Sequence, residues 1–345
     1  MNRKLAAWTI LLLPLALGCG RDSAPPPDPD KTPDATSASP PGELDSTGPD
    51  RQTRPREPMA HKYEVTLVSR LTMQGVDVKA EAIEADTRFV YTWQCRPGER
   101  VLVLHSQGMK VVIDGRAQTE ALMDRSRFRA KGRGKTTDVP FEKAPPQLRD
   151  MLRDSYETPL CRLAVDEDGN VASETVTAGP GAELAVKNGA IANCRLLHPP
   201  FPRGKRAWKA PATISMGSGS YASGQLTYKA GPALAEGDAA GRIPVAVSGT
   251  LTGGGTVGPT EVRNARYVVH GSQTFDPGRG HWVDGSLTLD TSFDTYLHGK
   301  KIASNSGTMT ASLKWLGSAK LEPAPEKDSQ DDLPKAEIRK LKADG

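Results

Sequence analysis

Thr308-Met309-Thr310-Ala311-Ser312-Leu313-Lys314-Trp315 sets Met309, Ala311, Leu313 and Trp315 against Thr308, Thr310, Ser312 and Lys314. Successive side chains of a β-strand point to opposite faces, so this stretch reads as a strand with one covered and one wet face. The same period of two recurs through the chain. Tyr63, Val65 and Leu67 alternate with polar neighbours, as do Phe89, Tyr91 and Trp93. Further on come Trp208, Ala210, Ala212 and Ile214, then Ile243, Val245 and Val247, then Ala265, Tyr267 and Val269.

Turn signals separate these stretches. The apolar runs Val101–Leu104 and Val111–Ile113 come first, the second meeting Asp114-Gly115. Leu163 and Val165 lead into Asp166-Glu167-Asp168-Gly169-Asn170 and on to Val171. Asp-Gly between alternating stretches marks antiparallel hairpins. The pattern predicts a mainly β fold with large antiparallel sheets and one or two helices packed on one face. The first helix is expected over about 145–156, where Pro145-Pro146 opens a turn and Leu148, Met151 and Leu152 share a side. The second runs from 181 to 197 and stops at Pro199-Pro200. Leu197-His198-Pro199-Pro200-Phe201-Pro202 then reads as a hinge between β-rich halves at 61–198 and 199–319, with a single domain over 61–319 as the alternative. The tail, 320–345, is polar.

The N-terminus carries an address. Arg3 and Lys4 precede an apolar run of thirteen residues, Leu5 to Leu17, so residues 1–18 read as a removable export signal. A membrane-spanning helix needs about 20 apolar residues. Ala16-Leu17-Gly18-Cys19 resembles the lipobox of bacterial lipoproteins, although Ala16 stands where that family usually has Leu. The resemblance implies that Cys19 becomes a lipidated N-terminus. An ordinary secretory signal that happens to carry a cysteine is the alternative. Residues 19–60 are rich in Pro, Asp, Ser and Thr and read as a disordered tether.

Lipobox, Pro-rich tether and β-rich body together resemble the envelope lipoproteins of bacteria such as planctomycetes. The turns Asp166…Gly169-Asn170 and Phe275-Asp276-Pro277-Gly278-Arg279-Gly280-His281-Trp282 add to the likeness. That group often resembles the lipoprotein-carrier fold, which implies a curved sheet with helices on its concave face and room for an apolar ligand. The resemblance supplies no catalytic residues.

Charge excludes little beyond nucleic acid. The chain has 45 Lys and Arg against 41 Asp and Glu, a formal charge of +4, and so nearly balanced a surface gives no general reason to expect nucleic acid. Beyond Cys19 lie Cys95, Cys161 and Cys194, which permit one disulfide of undetermined pairing. No Cys/His spacing suits zinc, so neither metal nor cofactor is expected. Gly134-Lys135-Thr136 lacks the earlier glycine of a phosphate loop. Asp166–Asn170 lacks the later positions of a calcium loop. His61, His105, His198, His270, His281 and His298 are dispersed, and His281, beside Trp282 and Asp284, is expected on a solvent-facing strand.

Arg125, Arg127, Arg129, Lys131, Arg133 and Lys135 occupy alternate positions. In one strand they would share a face and span about 33 Å. The favoured reading is an edge strand whose charges block aggregation. The alternative is contact with an anionic surface. The function expected is that of an exported, membrane-anchored, non-enzymatic lipoprotein facing the periplasm or the cell surface. It would bind a lipid-like ligand or an envelope protein. A ligand-free surface protein ranks second and a hydrolase with an unfamiliar site last.

Overall fold

The alternating stretches become long strands. A computed structural model describes residues 58–321, apart from 77–79, 133–134, 145, 147–148, 150–154, 167–170, 178–188, 203, 218–219 and 258. The strands are β1 (Met59–Gly75), β2 (Glu81–Arg96), β3 (Glu99–Ile113), β4 (Arg116–Asp124), β5 (Arg127–Gly132), β6 (Lys135–Pro140), β7 (Pro159–Val165) and β8 (Val171–Val176). After helix α1 (Ala190–Leu196) come β9 (Ala207–Gly217), β10 (Ser220–Ala230), β11 (Ile243–Val257), β12 (Thr260–Asp276), β13 (His281–Leu297) and β14 (Lys300–Ala319).

All fourteen strands belong to one antiparallel sheet. Twelve lie in the order β6-β5-β4-β3-β2-β1-β14-β13-β12-β11-β10-β9, while β7 pairs with β3 and β8 with β7. β1 and β14 form the central seam, from Ala60↔Ala319 to Gly75↔Ala303. β3 fuses the two apolar runs that are separate in the sequence. Asp114 and Gly115, at φ +46° and +75°, make the two-residue turn into β4 that the sequence predicts. Most of the helix expected over 145–156 lies outside the described residues, as do positions 167–170 of the Asp166–Asn170 turn, whose flanking strands pair at Val165↔Val171. Of the helix expected over 181–197, Ala190–Leu196 is described, starting after Gly189 in a left-handed conformation.

One face of the sheet is largely apolar. Tyr63, Val65, Phe89, Tyr91, Leu226, Tyr228, Leu287 and Ala311 are each no more than 1% exposed and join one continuous core. Twelve strands at about 4.8 Å spacing make a sheet about 50 Å wide, whereas seven helical residues extend about 10 Å. Helix α1 therefore covers a small part of that face, and Phe141, Ala144 and Tyr156, from the segment between β6 and β7, join the same core.

The crossing chain is fastened down. Ser215 N donates to Asn193 Oδ1 at 3.1 Å, and Gln273 Nε2 donates to the Leu197 carbonyl at 3.0 Å. Trp282 Nε1 donates to the Pro199 carbonyl at 2.9 Å. Phe201 stacks on Phe275 with ring centroids 4.0 Å apart. The stretch expected to be a hinge is bound to β9, β12 and β13.

Candidate functional site

Where β1 and β13 begin and β2 and β14 end, aromatic rings converge. His61, Tyr63 and Val65 share the buried face of β1. The hairpin between β12 and β13 brings Arg279 over the Trp315 ring, 5.6 Å from its centroid, and sets His281 on His61. The two imidazoles stack at 4.0 Å and 22°. Trp315 lies 5.0 Å from His281 and 6.4 Å from His61. Tyr63 meets His198 edge-on at 4.6 Å, and Trp93 meets His198 at 5.8 Å. His198 Nε2 lies 2.7 Å from the Tyr91 hydroxyl.

His281 is 4% exposed, not solvent-facing as its sequence neighbourhood suggests. The pairing of β12 with β13 shifts register between Thr274 and Phe275. His281 nonetheless has the parity of the buried Val283, Leu287 and Leu289, so the period of two along β13 already assigns it to the covered side.

Polar atoms are left over in this cluster. Among the described residues, no group hydrogen-bonds His61 Nδ1, either nitrogen of His281, Trp315 Nε1 or Trp93 Nε1. Gln273 Oε1 is likewise unbonded. A buried polar atom without a partner costs roughly 1–3 kcal/mol. Burial, aided by the Arg279 charge, lowers His61 to about 4, against a weaker upward pull from Asp276. Burial and the neighbouring His61 lower His281 to about 3. The Arg279 main chain lies beside the His281 ring and weakly favours its protonated form. Both rings are thus neutral at pH 7, each with one N–H donor and one acceptor nitrogen. The adjacent acid is engaged elsewhere. Asp276 Oδ1 accepts from Arg279 N at 3.0 Å, and its Oδ2 accepts from Arg279 Nη1 at 3.1 Å.

A second arrangement lies on the other side of β2, at a position the alternation assigns to the opposite face from Tyr91 and Trp93. Thr92 Oγ1 is 2.6 Å from His105 Nε2, and His105 Nδ1 is 3.0 Å from Glu157 Oε1. The bulge that shifts register between Val90 and Tyr91 leaves His105 as the extra residue of β3. Glu157 sits at φ +62°, held by its N–H on the Leu104 carbonyl at 2.8 Å. Neither this chain nor the His61–His281 stack is legible in sequence, because both join residues through sheet register and bulges.

The basic positions do not form one strand. β5 ends at Gly132 and pairs back on β6 through Gly132↔Lys135. Arg127, Arg129 and Lys131 point to the wet face. Lys135 shares the side of Gly132 and Phe128, Arg125 lies in the preceding turn, and Arg133 is outside the described residues. Arg127 and Arg129 both donate to Asp138, at 2.6 and 3.1 Å, across the hairpin. Lys131, Glu120, Lys110 and Asp86 stand opposite one another along a row crossing β5, β4, β3 and β2. The charges alternate in sign along that row, as stable cross-strand pairs do. The sheet edge here is β6, one strand beyond these residues.

Cys95, Cys161 and Cys194 are unbridged. Burial raises all three thiols, Cys161 to about 12, which suppresses the reactive thiolate. Cys19 lies outside the described residues. Among those described, no helix is long and apolar enough to cross a membrane.

No family model matches the chain, and no curated protein matches it by sequence. Its fold is similar to part of lipovitellin, a structure solved for its lipid–protein interactions, at 9% identity and a TM-score of 0.43. That match covers 77% of this chain and 26% of lipovitellin's. A LolA superfamily protein from Nitrosomonas europaea matches at 10% identity and TM-score 0.14 over 80% of this chain and 92% of its own. OccK5 of Pseudomonas aeruginosa matches at 6% identity and TM-score 0.20 over 75% of this chain and 99% of its own. Likenesses this weak fix neither ancestry nor ligand.

Proposed function

We propose that the folded body holds an apolar ligand against the buried face of its sheet, and that a lipid on Cys19 tethers it to a membrane. One observation carries the ligand reading. Among the described residues, a seven-residue helix, a short crossing segment and the side chains of Phe141, Ala144 and Tyr156 pack on an apolar face twelve strands wide, and unbonded polar atoms of His61, Trp93, His281 and Trp315 lie at one end of it. Large curled sheets with an apolar interior accommodate ligands between side chains. The anchor rests on the signal-like start and on Cys19.

Native mass spectrometry of the full chain, extracted from membranes in mild detergent, tests the ligand. A reproducible extra mass in the lipid range, beyond that of the N-terminal modification, supports it. A bare protein mass rejects it and favours a protein that works by its surface alone. For the anchor, Cys19→Ser should abolish labelling by a radioactive fatty acid, and retained labelling rejects the assignment.

The Thr92–His105–Glu157 chain favours a second, hydrolytic reading. A hydroxyl bonded to an imidazole that a carboxylate orients is the arrangement of an activated nucleophile. It ranks second because Thr92 is only 3% exposed. Hydrolysis of a chromogenic ester that disappears in both Thr92→Val and His105→Ala would promote it. Equal rates in these variants and the native chain dismiss it.

A further inference from the structure

We propose that the His61–His281 stack is the docking point for the head of an amphiphile, and that this head is a small uncharged hydroxyl. The inference rests on the apolar-ligand reading above and adds the chemistry of the ligand's polar end.

The stack cannot satisfy itself. Stacked imidazoles present their faces to each other, while ring nitrogens donate and accept in the ring plane, so the hydrogen-bonding directions radiate sideways. The neighbours include the rings of Trp315 and Tyr63 and the main chain of Arg279. Trp315, itself with an unbonded N–H, lies 5.0 Å from His281, and the edge of Tyr63 lies 6.4 Å away. The result is three unbonded imidazole nitrogens and an unbonded indole N–H in residues that touch one another. His61 and His281 are 1% and 4% exposed. They lie at the end of an apolar face, which suits a molecule with a long apolar part and one polar end.

The character of the head follows from the ring states. Neutral imidazoles offer donors and acceptors together, and the indole offers another donor. A hydroxyl both accepts and donates, so it matches the set. A carboxylate finds no imidazolium here, and the one guanidinium nearby, Arg279, is paired with Asp276. A cationic head finds the same Asp276 already neutralised by Arg279.

Tryptophan fluorescence of the full chain, titrated with dodecanol and separately with dodecane, tests the proposal. The native chain should bind dodecanol about tenfold more tightly than dodecane, and His281→Leu should remove that preference while leaving dodecane affinity unchanged. Equal affinity of the native chain for both probes overturns the head site and leaves the apolar-ligand reading standing. Binding of neither overturns both. A leucine at 281 can perturb folding, so nitrogen-15 histidine spectra of the native chain give an independent readout. Dodecanol should shift the ring nitrogens of His61 and His281 while the exposed His270 stays in place. Bound dodecanol with unmoved His61 and His281 signals overturns the proposal.

Discussion

His61, near the start of β1, and His281, the first residue of β13, stack at 4.0 Å although β14 lies between their strands. The stack makes stability depend on acidity. Unfolded, each ring titrates near 6.5; folded, at about 4 and about 3. Between these values the unfolded chain binds more protons, so stability is full above pH 6.5 and is lost as pH falls toward 3. His61 alone contributes on the order of 3 kcal/mol to that loss. Urea midpoints should be flat above pH 7 and fall steadily from pH 6.5 to 4. Replacing both rings with Phe should reduce this slope, leaving the part due to His198, which burial also holds well below its ordinary value, and an unchanged slope would refute the assignment. Carboxylates such as Asp294, lowered by Lys301, act in the same direction but below pH 4.

Phe201 ties the crossing segment to the sheet through Phe275, at 4.0 Å and 6° between ring planes. Phe201→Ala should cost about 2–4 kcal/mol. A double-mutant cycle with Phe275→Leu should give a coupling of about 1 kcal/mol. Additive losses in urea unfolding would show that the segment is held by its hydrogen bonds instead.

The strands were legible because their period of two survives in Tyr63–Leu67, Trp208–Ile214 and Met309–Trp315, whose buried faces are the ones the alternation predicts. The Asp114-Gly115 turn was legible because so few residue pairs adopt two successive positive φ values. The aromatic cluster was not legible. His61 and His281 are far apart in sequence, and although the parity of Leu287 and Leu289 assigns His281 to the covered side, only the order of β1, β14 and β13 brings it to His61. The basic positions misled for a related reason. Alternation is blind to a hairpin that reverses the chain, and here β5 pairs back on β6 from Gly132 to Lys135.

Gly307 lies on the seam opposite Leu71. A Cβ there would come within 2.0 Å of the Arg70 carbonyl oxygen and 2.9 Å of Leu71 Cα, both main-chain atoms. Gly307→Ala must push the two strands apart and should cost at least about 2 kcal/mol. At Gly115 a Cβ meets nothing, and only its φ of +75° opposes alanine, so Gly115→Ala should cost about 1 kcal/mol. Thermal melts that rank the two variants the other way would contradict the close approach at the seam.

Arg127, Arg129 and Lys131 are compensated in place by Asp138 and Glu120. Neutralising all three to Gln should leave retention on anionic vesicles within about twofold of the native chain, because paired charges add little attraction. A tenfold loss would instead make this face a membrane contact.

The pairing of Ala60 with Ala319 has a consequence for how the chain is made. A polypeptide emerging from a ribosome or a translocation pore exposes β1 first, yet one edge of β1 stays unpaired until the last strand, β14, has emerged. Contacts of such sequence separation close slowly. During that interval the free edge of β1 can capture a second chain. A stop codon anywhere upstream of β14 should therefore yield intermolecular strand pairing and insoluble material, not a shorter soluble body.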